Sequence, residues 1–168
     1  MTRAHGEATT TIRPATKADV PVLLALVHEL ALYEKAAHEV VATEADFLTH
    51  GFGERPSFEA LIAETNAKVT GFALYFFGFS TWTGTSVLYL EDLFVRPEDR
   101  QKGAGLALMR ALAQEATAHG CRRFVWQVLD WNDSAIGFYE SFGALVRREW
   151  LTVRLEGDDL TRLATSLP

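Results

Sequence analysis

Two adjacent carboxylates, Glu91 and Asp92, interrupt an apolar stretch that is typical of a buried β-strand, TSVLYLEDLFV at 85–95. A carboxylate among apolar neighbours is costly unless it is paired, and its desolvation raises its pKa. Such a group can attract an alkylammonium ion and accept a proton from it, which leaves a nucleophilic amine. The structural alternative is that one or both acids pair with an arginine or bind turn N–H groups.

A glycine-containing turn follows this strand within ten residues. Arg100, Gly103 and Gly105 form the pattern R-x-x-G-x-G, and the apolar spacing over 104–119 predicts an amphipathic helix. Glycines let backbone N–H groups approach a ligand, and a first helical turn adds unpaired donors, so the pattern predicts a pyrophosphate site. Arg100 and Lys102 would add positive charge there. A tight turn without a ligand is the alternative, because neither GxGxxG nor GxxxxGK[ST] is present.

The elements that position these groups show strand and helix patterns that predict an α/β fold. We expect a mixed central sheet of about six to seven strands with helices on both faces. Regular alternation along 85–95 predicts that Leu90 and Asp92 share one face and that Glu91 lies on the other. In chain order, we predict a strand at 9–14, a helix from 20 to about 33, a shorter helix after Thr43, strands at 58–64, 68–79 and 85–95, a helix at 104–119, a strand at 122–130, a helix at 132–142, a strand at 148–155 and a closing helical turn.

Composition excludes several classes of protein. The 168 residues carry a net charge of −6 at pH 7, whereas a nucleic-acid surface needs clustered Lys and Arg, so no nucleic-acid partner is predicted. Cys121 is the only cysteine, which excludes internal disulfides and CxxC metal sites and indicates a reducing, cytoplasmic location. The sequence predicts no membrane span and no metal site. We expect a flexible arm at 1–8 and a single domain over 9–168.

The segment VRPEDRQKGAGLALMRAL at 95–112 resembles the acetyl-CoA loop of the GCN5-related N-acetyltransferases, the GNAT superfamily. Further matches are IRPATKADV, ELALYEK, HGFGERPSF, STWTG, LYLEDLFV and VLDWNDSAIGFYESFGA. In this order they resemble the diamine acetyltransferase branch, which includes spermidine/spermine and thialysine acetyltransferases. The resemblance implies the GNAT fold, with splayed central strands at 85–95 and 122–130, and a homodimer. It also implies direct transfer of an acetyl group from acetyl-CoA to a primary amine of a small cationic substrate, in a ternary complex.

The resemblance assigns roles to individual residues. Glu91 matches the proton acceptor, and Tyr139 matches the tyrosine that donates a proton to the departing CoA thiolate. The cofactor would contact Leu93, Phe94, Val95, Arg100, Gln101, Lys102, Gly103, Ala104, Gly105, Leu106, Asn132 and Tyr139. The amine would contact Tyr33, Glu34, Trp82, Glu91, Asp92, Val125, Trp126, Gln127 and Glu149.

Several of these residues have a structural explanation as well. Asn132 can cap its own helix, Tyr139 and Trp126 can belong to the core, and Glu34 can be a solvent-facing acid at a helix end. Two other functions also fit the motifs. A CoA-binding regulatory or interaction domain without turnover is one, although Glu91 and Tyr139 together argue against it. A protein or peptide N-acetyltransferase is the other, but it needs an open groove, whereas these acids predict an acidic mouth.

Overall fold

The computed structural model describes residues 9–165, so the predicted arm at 1–8 lies outside the described residues. The chain divides after Gln127 into two compact units. A single domain over 9–168 stays a prediction. No helix within residues 9–165 is long and apolar enough to cross a membrane.

The first unit contains a five-stranded mixed sheet, which confirms the predicted α/β class. The strand order is β1-β2-β3-β4-β5; neighbouring strands are antiparallel except β4 and β5, which are parallel. A parallel pair needs a long crossover connection, and α3 provides it. The elements are β1 (Thr10–Pro14), α1 (Val20–Tyr33), α2 (Glu44–Phe52), β2 (Glu59–Thr65), β3 (Lys68–Ser80), β4 (Thr85–Val95), α3 (Ala104–Ala118) and β5 (Arg123–Trp126).

Helices cover both faces of this sheet, as predicted. On one face, Leu23 and Leu26 of α1 pack against Phe72, Leu74 and Phe94 of the central strands. On the other face, α3 contacts β1 and β2, and its side chains Leu108, Met109 and Leu112 are buried. We call these the α1 face and the α3 face. The 3.6-residue apolar spacing of both helices explains why each buries one side.

The junction between β1 and α1 is held by a fully partnered carboxylate. Arg13 donates to Asp19 Oδ1 and Oδ2 through its two terminal nitrogens, both at 2.8 Å. Thr16 donates its backbone N–H and its hydroxyl to the same carboxylate, at 2.7 and 2.9 Å. These bonds, with the Arg13 guanidinium the largest contribution, hold the pKa of Asp19 well below its usual range. Thr16 is the N-cap of a short 3-10 turn, Lys17–Asp19, that leads into α1.

The second unit has fewer strands than predicted. It contains α4 (Asp133–Glu140) and α5 (Gly157–Thr165), which correspond to the predicted helix at 132–142 and the closing helical turn. The strand expected at 148–155 is absent from the described residues, and the strand expected at 122–130 covers only Arg123–Trp126. The sheet therefore has five strands instead of six to seven. Alternation alone cannot form a strand, because the backbone also needs a neighbouring strand for hydrogen bonding; here Leu151 and Val153 are 86% and 91% exposed.

Candidate active site

A β-bulge interrupts β4 at the two predicted acids. Asp92 pairs with Leu74 of β3 and Leu90 pairs with Tyr75, so Glu91 has no cross-strand partner of its own. Leu74 and Tyr75 are adjacent and point to opposite faces, and therefore Asp92 and Leu90 do too. The prediction that Leu90 and Asp92 share a face is wrong, because a bulge adds one residue to the alternation.

The bulge places both acids on the α1 face. Leu74 belongs to the core beneath α1, so its partner Asp92 points to that side. Glu91 alternates with Leu90, which faces the other way, so Glu91 also points toward the α1 face. Regular alternation would have directed one carboxylate into the apolar layer beneath α3, where its desolvation would be costly. The bulge avoids that cost and brings two consecutive carboxylates together.

Asp92 is a desolvated carboxylate without a counterion. It is half-buried, and residues 9–165 offer it neither a hydrogen-bond donor nor a cation. Burial, then the negative charges of Glu91 and Glu34, raise the pKa of Asp92 to about 6. The predicted alternative, pairing of this acid with an arginine, is therefore not what the structure shows for Asp92. Its environment favours either a proton or a bound cation.

Glu34 joins the two strand acids from α1. It directly follows the last helical residue, Tyr33, and partial burial raises its pKa. The charges of Glu34 and Glu91 both act on Asp92, so both carboxylates lie within electrostatic reach of it. We call Glu34, Glu91 and Asp92 the acidic cluster.

Sequence reasoning missed a fourth polar residue beside this cluster, Tyr89. Burial, followed by the charge of Glu91, raises the pKa of the Tyr89 hydroxyl. Its β3 partner is Phe76, whose ring stacks on Tyr89 with centroids 5.0 Å apart. The sequence did carry a signal for Tyr89, because strand alternation places it on the same face as Glu91. An aromatic residue in an apolar strand is, however, usually interpreted as a core residue.

After the bulge, the edge of β4 that faces β5 has no strand partner among the described residues, and we call it the open edge. Pairing with β5 ends at Leu90 and Trp126, whereas β4 continues to Val95. Arg96 N–H donates to Thr70 O of β3 at 2.9 Å, so the antiparallel alternation directs the backbone groups of Phe94 toward β3. The same alternation directs those of Leu93 and Val95 to the open edge. The central strands thus separate as predicted, with the backbone groups of Leu93 and the N–H group of Val95 on this edge, while Val95 O accepts from Arg100 Nε.

The glycine turn leads into the N-terminus of α3. Gly103 is the N-cap of α3 with a left-handed φ of 91°, and Gln101 also has a positive φ, of 59°. A Cβ at Gly103 would meet no atom of the described residues within 4 Å, so glycine is needed there for its backbone conformation. The first intrahelical bond runs from Ala107 N–H to Gly103 O, which leaves the N–H groups of Ala104, Gly105 and Leu106 without helical acceptors. Together with the helix dipole, these donors suit a phosphate group.

Both cations of this turn contact their own chain. Lys102 Nζ donates to Glu98 O at 2.7 Å and to Asp99 Oδ1 at 3.1 Å. Arg100 Nε donates to Val95 O at 2.9 Å, and its guanidinium carbon lies 4.6 Å from the centroid of the Tyr33 ring. The predicted contribution of these two residues to a phosphate site stays a prediction.

The structure brings some of the predicted amine contacts to the acidic cluster and separates others from it. Val125 pairs with Tyr89 on the α1 face, whereas Trp126 pairs with Leu90 on the α3 face. Gln127 follows β5 directly. Trp82 lies at the tip of the β3–β4 hairpin and is 77% exposed. Its ring lies over the guanidinium of Arg123, with the guanidinium carbon 5.7 Å from the ring centroid, and its part in amine binding stays a prediction.

Three predicted site residues belong to the second unit. Asn132 caps α4, since its Oδ1 accepts from Ala135 N–H at 3.2 Å. Tyr139 is buried on α4, and its ring contacts Phe138 and Phe142. Glu149 is exposed and accepts from Arg147, and its own backbone N–H and then Arg147 lower its pKa. Their parts in cofactor and substrate binding stay predictions.

Comparisons with known proteins agree with this fold. The family described as Acetyltransferase (GNAT) matches residues 25–144. A thialysine N-epsilon-acetyltransferase of Mus musculus is 39% identical, over 94% of this chain and 98% of the relative. An L-ornithine N5-acetyltransferase of Arabidopsis thaliana is 32% identical, over 89% and 85%.

A solved structure has the same fold. An integron cassette protein from the mobile metagenome of V. cholerae superposes with a TM-score of 0.78 and 35% identity, over 94% of this chain and 98% of that one. The family match spans more than half of the chain, and it includes β4, the glycine turn and α3. This chain therefore belongs to the GNAT family of acetyltransferases.

Proposed function

We propose that this chain transfers an acetyl group from acetyl-CoA directly to a primary amine of a small cationic substrate, which is a diamine, a polyamine or a thialysine-like amine. One observation carries the proposal: Asp92 is desolvated, lies beside two more carboxylates, and has no cation among residues 9–165. Uncompensated negative charge of this kind favours a cationic acceptor. The thialysine and ornithine acetyltransferases among the relatives support a substrate of this class.

The cofactor assignment uses the two backbone features of the first unit. Acetyl-CoA would supply an activated thioester to the site. We assign its pyrophosphate to the N–H groups at the start of α3, with the backbone of Gln101 and Gly103 shaping the turn. We assign its pantetheine arm to the open edge of β4, where Leu93 and Val95 can bind it as an added strand would. An N–H group on that edge would polarise the thioester carbonyl.

The acidic cluster has two tasks in this proposal. An alkylammonium with a pKa of roughly 10.4 is neutral in about one molecule in 2,500 at pH 7, which costs roughly 4.6 kcal/mol. Asp92 and Glu34 hold the cation, with Tyr33 at the same helix end. Glu91 accepts the proton, directly or through water, because it is exposed at the bulge and can return that proton to solvent.

Tyr139 completes the proposed chemistry by donating a proton to the departing CoA thiolate. We expect Tyr139→Phe to lower kcat at least ~10-fold while CoA affinity stays nearly the same. Tyr75→Phe is the matched control, because Tyr75 is also a buried tyrosine and its hydroxyl donates to Glu59 at 3.0 Å. An unchanged kcat in Tyr139→Phe would remove Tyr139 from the mechanism.

The direct test is the release of free CoA, measured with a thiol reagent, from acetyl-CoA and a panel of amines. The panel contains diamines, polyamines, thialysine, ornithine, lysine and a lysine-containing peptide. We expect turnover with at least one small cationic amine and little with the peptide. Tight CoA binding without turnover of any amine would favour the regulatory domain, and turnover of the peptide alone would favour a protein acetyltransferase.

We further propose that the protein is a cytoplasmic homodimer. The exposed apolar side chains of Leu151 and Val153 support a second copy that covers them, because such residues rarely stay in water together. Light scattering of the purified protein is expected to give twice the chain mass, and Val153→Asp is expected to lower it. A wild-type protein that is monomeric at assay concentration would contradict the dimer.

A further inference from the structure

Arg100 contacts both sides of the proposed active site. Its Nε donates to Val95 O at 2.9 Å, and Val95 lies on the open edge assigned to the cofactor. Its guanidinium carbon lies 4.6 Å from the ring centroid of Tyr33, at the end of α1, and 5.7 Å from that of Phe94. Glu34, the next residue after Tyr33, is a member of the acidic cluster. One half-buried side chain therefore joins the acceptor helix to the cofactor strand.

A second connection joins α1 to the end of β4. Arg96, one residue after β4, donates to both carboxylate oxygens of Glu29 on α1, at 2.8–3.2 Å. It also donates to Val69 O at 2.8 Å. Arg96 fixes α1 about one helical turn before Tyr33. Arg100 adds a contact in the last turn, through the Tyr33 ring, which also packs against the core.

We propose that Arg100 is a positioning residue for the acceptor amine and that phosphate binding is not its main task. By stacking on Tyr33 while it holds Val95 O, it fixes the end of α1, and with it Glu34, relative to the strand that carries Glu91 and Asp92. The proposal rests on the proposed function for the identity of the two sites. It adds a substrate-specific role for the first residue of the R-x-x-G-x-G pattern.

Arginine is required for this arrangement, and lysine would not replace it. A planar guanidinium can stack on an aromatic ring through its face while Nε donates a hydrogen bond at its edge. A lysine ammonium is a point charge on a flexible stem, so it cannot make both contacts in one geometry. A phosphate ligand, in contrast, tolerates lysine, because an ammonium binds phosphate well as a point charge. Arg100→Lys therefore separates the two roles.

The test compares Arg100→Lys and Arg100→Gln with wild type. Arg110→Gln is the matched control for loss of one positive charge, because Arg110 is exposed on α3. We expect both Arg100 variants to raise the KM for the amine about 5–10-fold. The calorimetric Kd for CoA should change less than about twofold, with the same salt dependence as wild type. The proposal is overturned if Arg100→Lys behaves as wild type while Arg100→Gln weakens CoA binding and flattens its salt dependence.

A double-mutant cycle with Tyr33→Leu tests the contact itself. If Arg100 acts through Tyr33, Tyr33→Leu raises the amine KM in the wild-type background but adds less than about twofold in Arg100→Gln. Independent, multiplying effects would overturn the proposal. Circular dichroism and urea unfolding of every variant show that a loss of binding does not come from a loss of fold.

The same variants distinguish failure of this inference from failure of the proposed function. If the wild type turns over no amine, the Kd for the amine is measured calorimetrically with CoA present. A weaker amine Kd in Arg100→Lys supports the positioning role even then, and an unchanged Kd overturns it. Absence of any amine binding to wild type overturns both.

Discussion

Two desolvated aspartates in the first unit have opposite electrostatic environments. Asp19, 8% exposed, accepts hydrogen bonds from Arg13 and Thr16, and its pKa lies below the ordinary range. Asp92 has no donor among the described residues, and its pKa rises to about 6. Side chains and backbone of the fold supply hydrogen bonds to Asp19, so Asp19 can contribute to stability. The negative charge of Asp92 has no such compensation among the described residues. The difference indicates that a buried acid is a functional candidate when its partner has to come from outside the chain.

The largest expected effect is on activity. We expect Asp92→Asn to lower kcat/KM for the amine about 100-fold, because it removes the desolvated charge that we propose pairs with the cation. Asp19→Asn should change kcat/KM by less than about threefold, because Asp19 only braces β1 and α1. Steady-state kinetics with the best amine of the panel measure both values. Equal losses in the two variants would remove the distinction between the aspartates.

Stability is expected to change in opposite directions. Asp19→Asn leaves Arg13 without its main partner and weakens the cap, so the free energy of unfolding should fall by about 1–3 kcal/mol at pH 7. Asp92→Asn removes a desolvated charge, and the same quantity should rise by roughly 1–3 kcal/mol at pH 8. Urea denaturation of both variants and wild type gives these numbers. A fall in both variants would show that Asp92 has a stabilising partner.

The pH dependence of these differences follows from the two pKa shifts. The pKa of Asp92 is raised from 3.8 to about 6, so the native state binds more protons than the unfolded state between these values, and stability from this group falls as the pH rises. The advantage of Asp92→Asn should therefore be absent below pH 3.8, grow between pH 3.8 and 6, and be complete above about pH 6. The pKa of Asp19 is lowered, so its stabilisation should be complete above its ordinary value of 3.8 and fade below it. Urea denaturation across this pH range checks both signs, and parallel profiles would contradict the assignment.

The smallest expected effect concerns Glu34. Its negative charge helps to raise the pKa of Asp92, so Glu34→Gln should lower that pKa. The acidic limb of kcat/KM should then move to lower pH by less than about one unit. Glu44→Gln, on exposed α2, is the control for loss of one negative charge and should leave the limb in place. A limb that shifts equally in both variants would assign the effect to net charge.

Local patterns predicted most elements of the fold. The apolar spacing of α1 and α3 and the helix start after Thr43 are local signals, and the structure confirms these three helices. The segment 148–155 also has the alternation of a strand, but a strand needs a neighbouring edge, which its own sequence does not specify. Its failure to pair within the described chain explains the lower strand count.

The candidate site could be predicted as a set of residues but not as a geometry. Glu91 and Asp92 are conspicuous because charges are rare in apolar strands. Their shared face was missed, because a bulge depends on how β4 aligns with β3, which is a non-local property. The stacking of Arg100 on Tyr33 was missed for the same reason, since 67 positions separate the two residues and only the tertiary fold brings them together.

The extra residue in β4 has an evolutionary consequence. Deletion of Glu91 would join Leu90 to Asp92 in an unbroken ladder, and each half of the strand would keep its present orientation. The sheet would become more regular, and the proposed proton acceptor would be lost. A homologue could therefore lose catalysis through a single deletion while its fold stays the same. The presence of the fold alone would then not indicate whether a homologue is active.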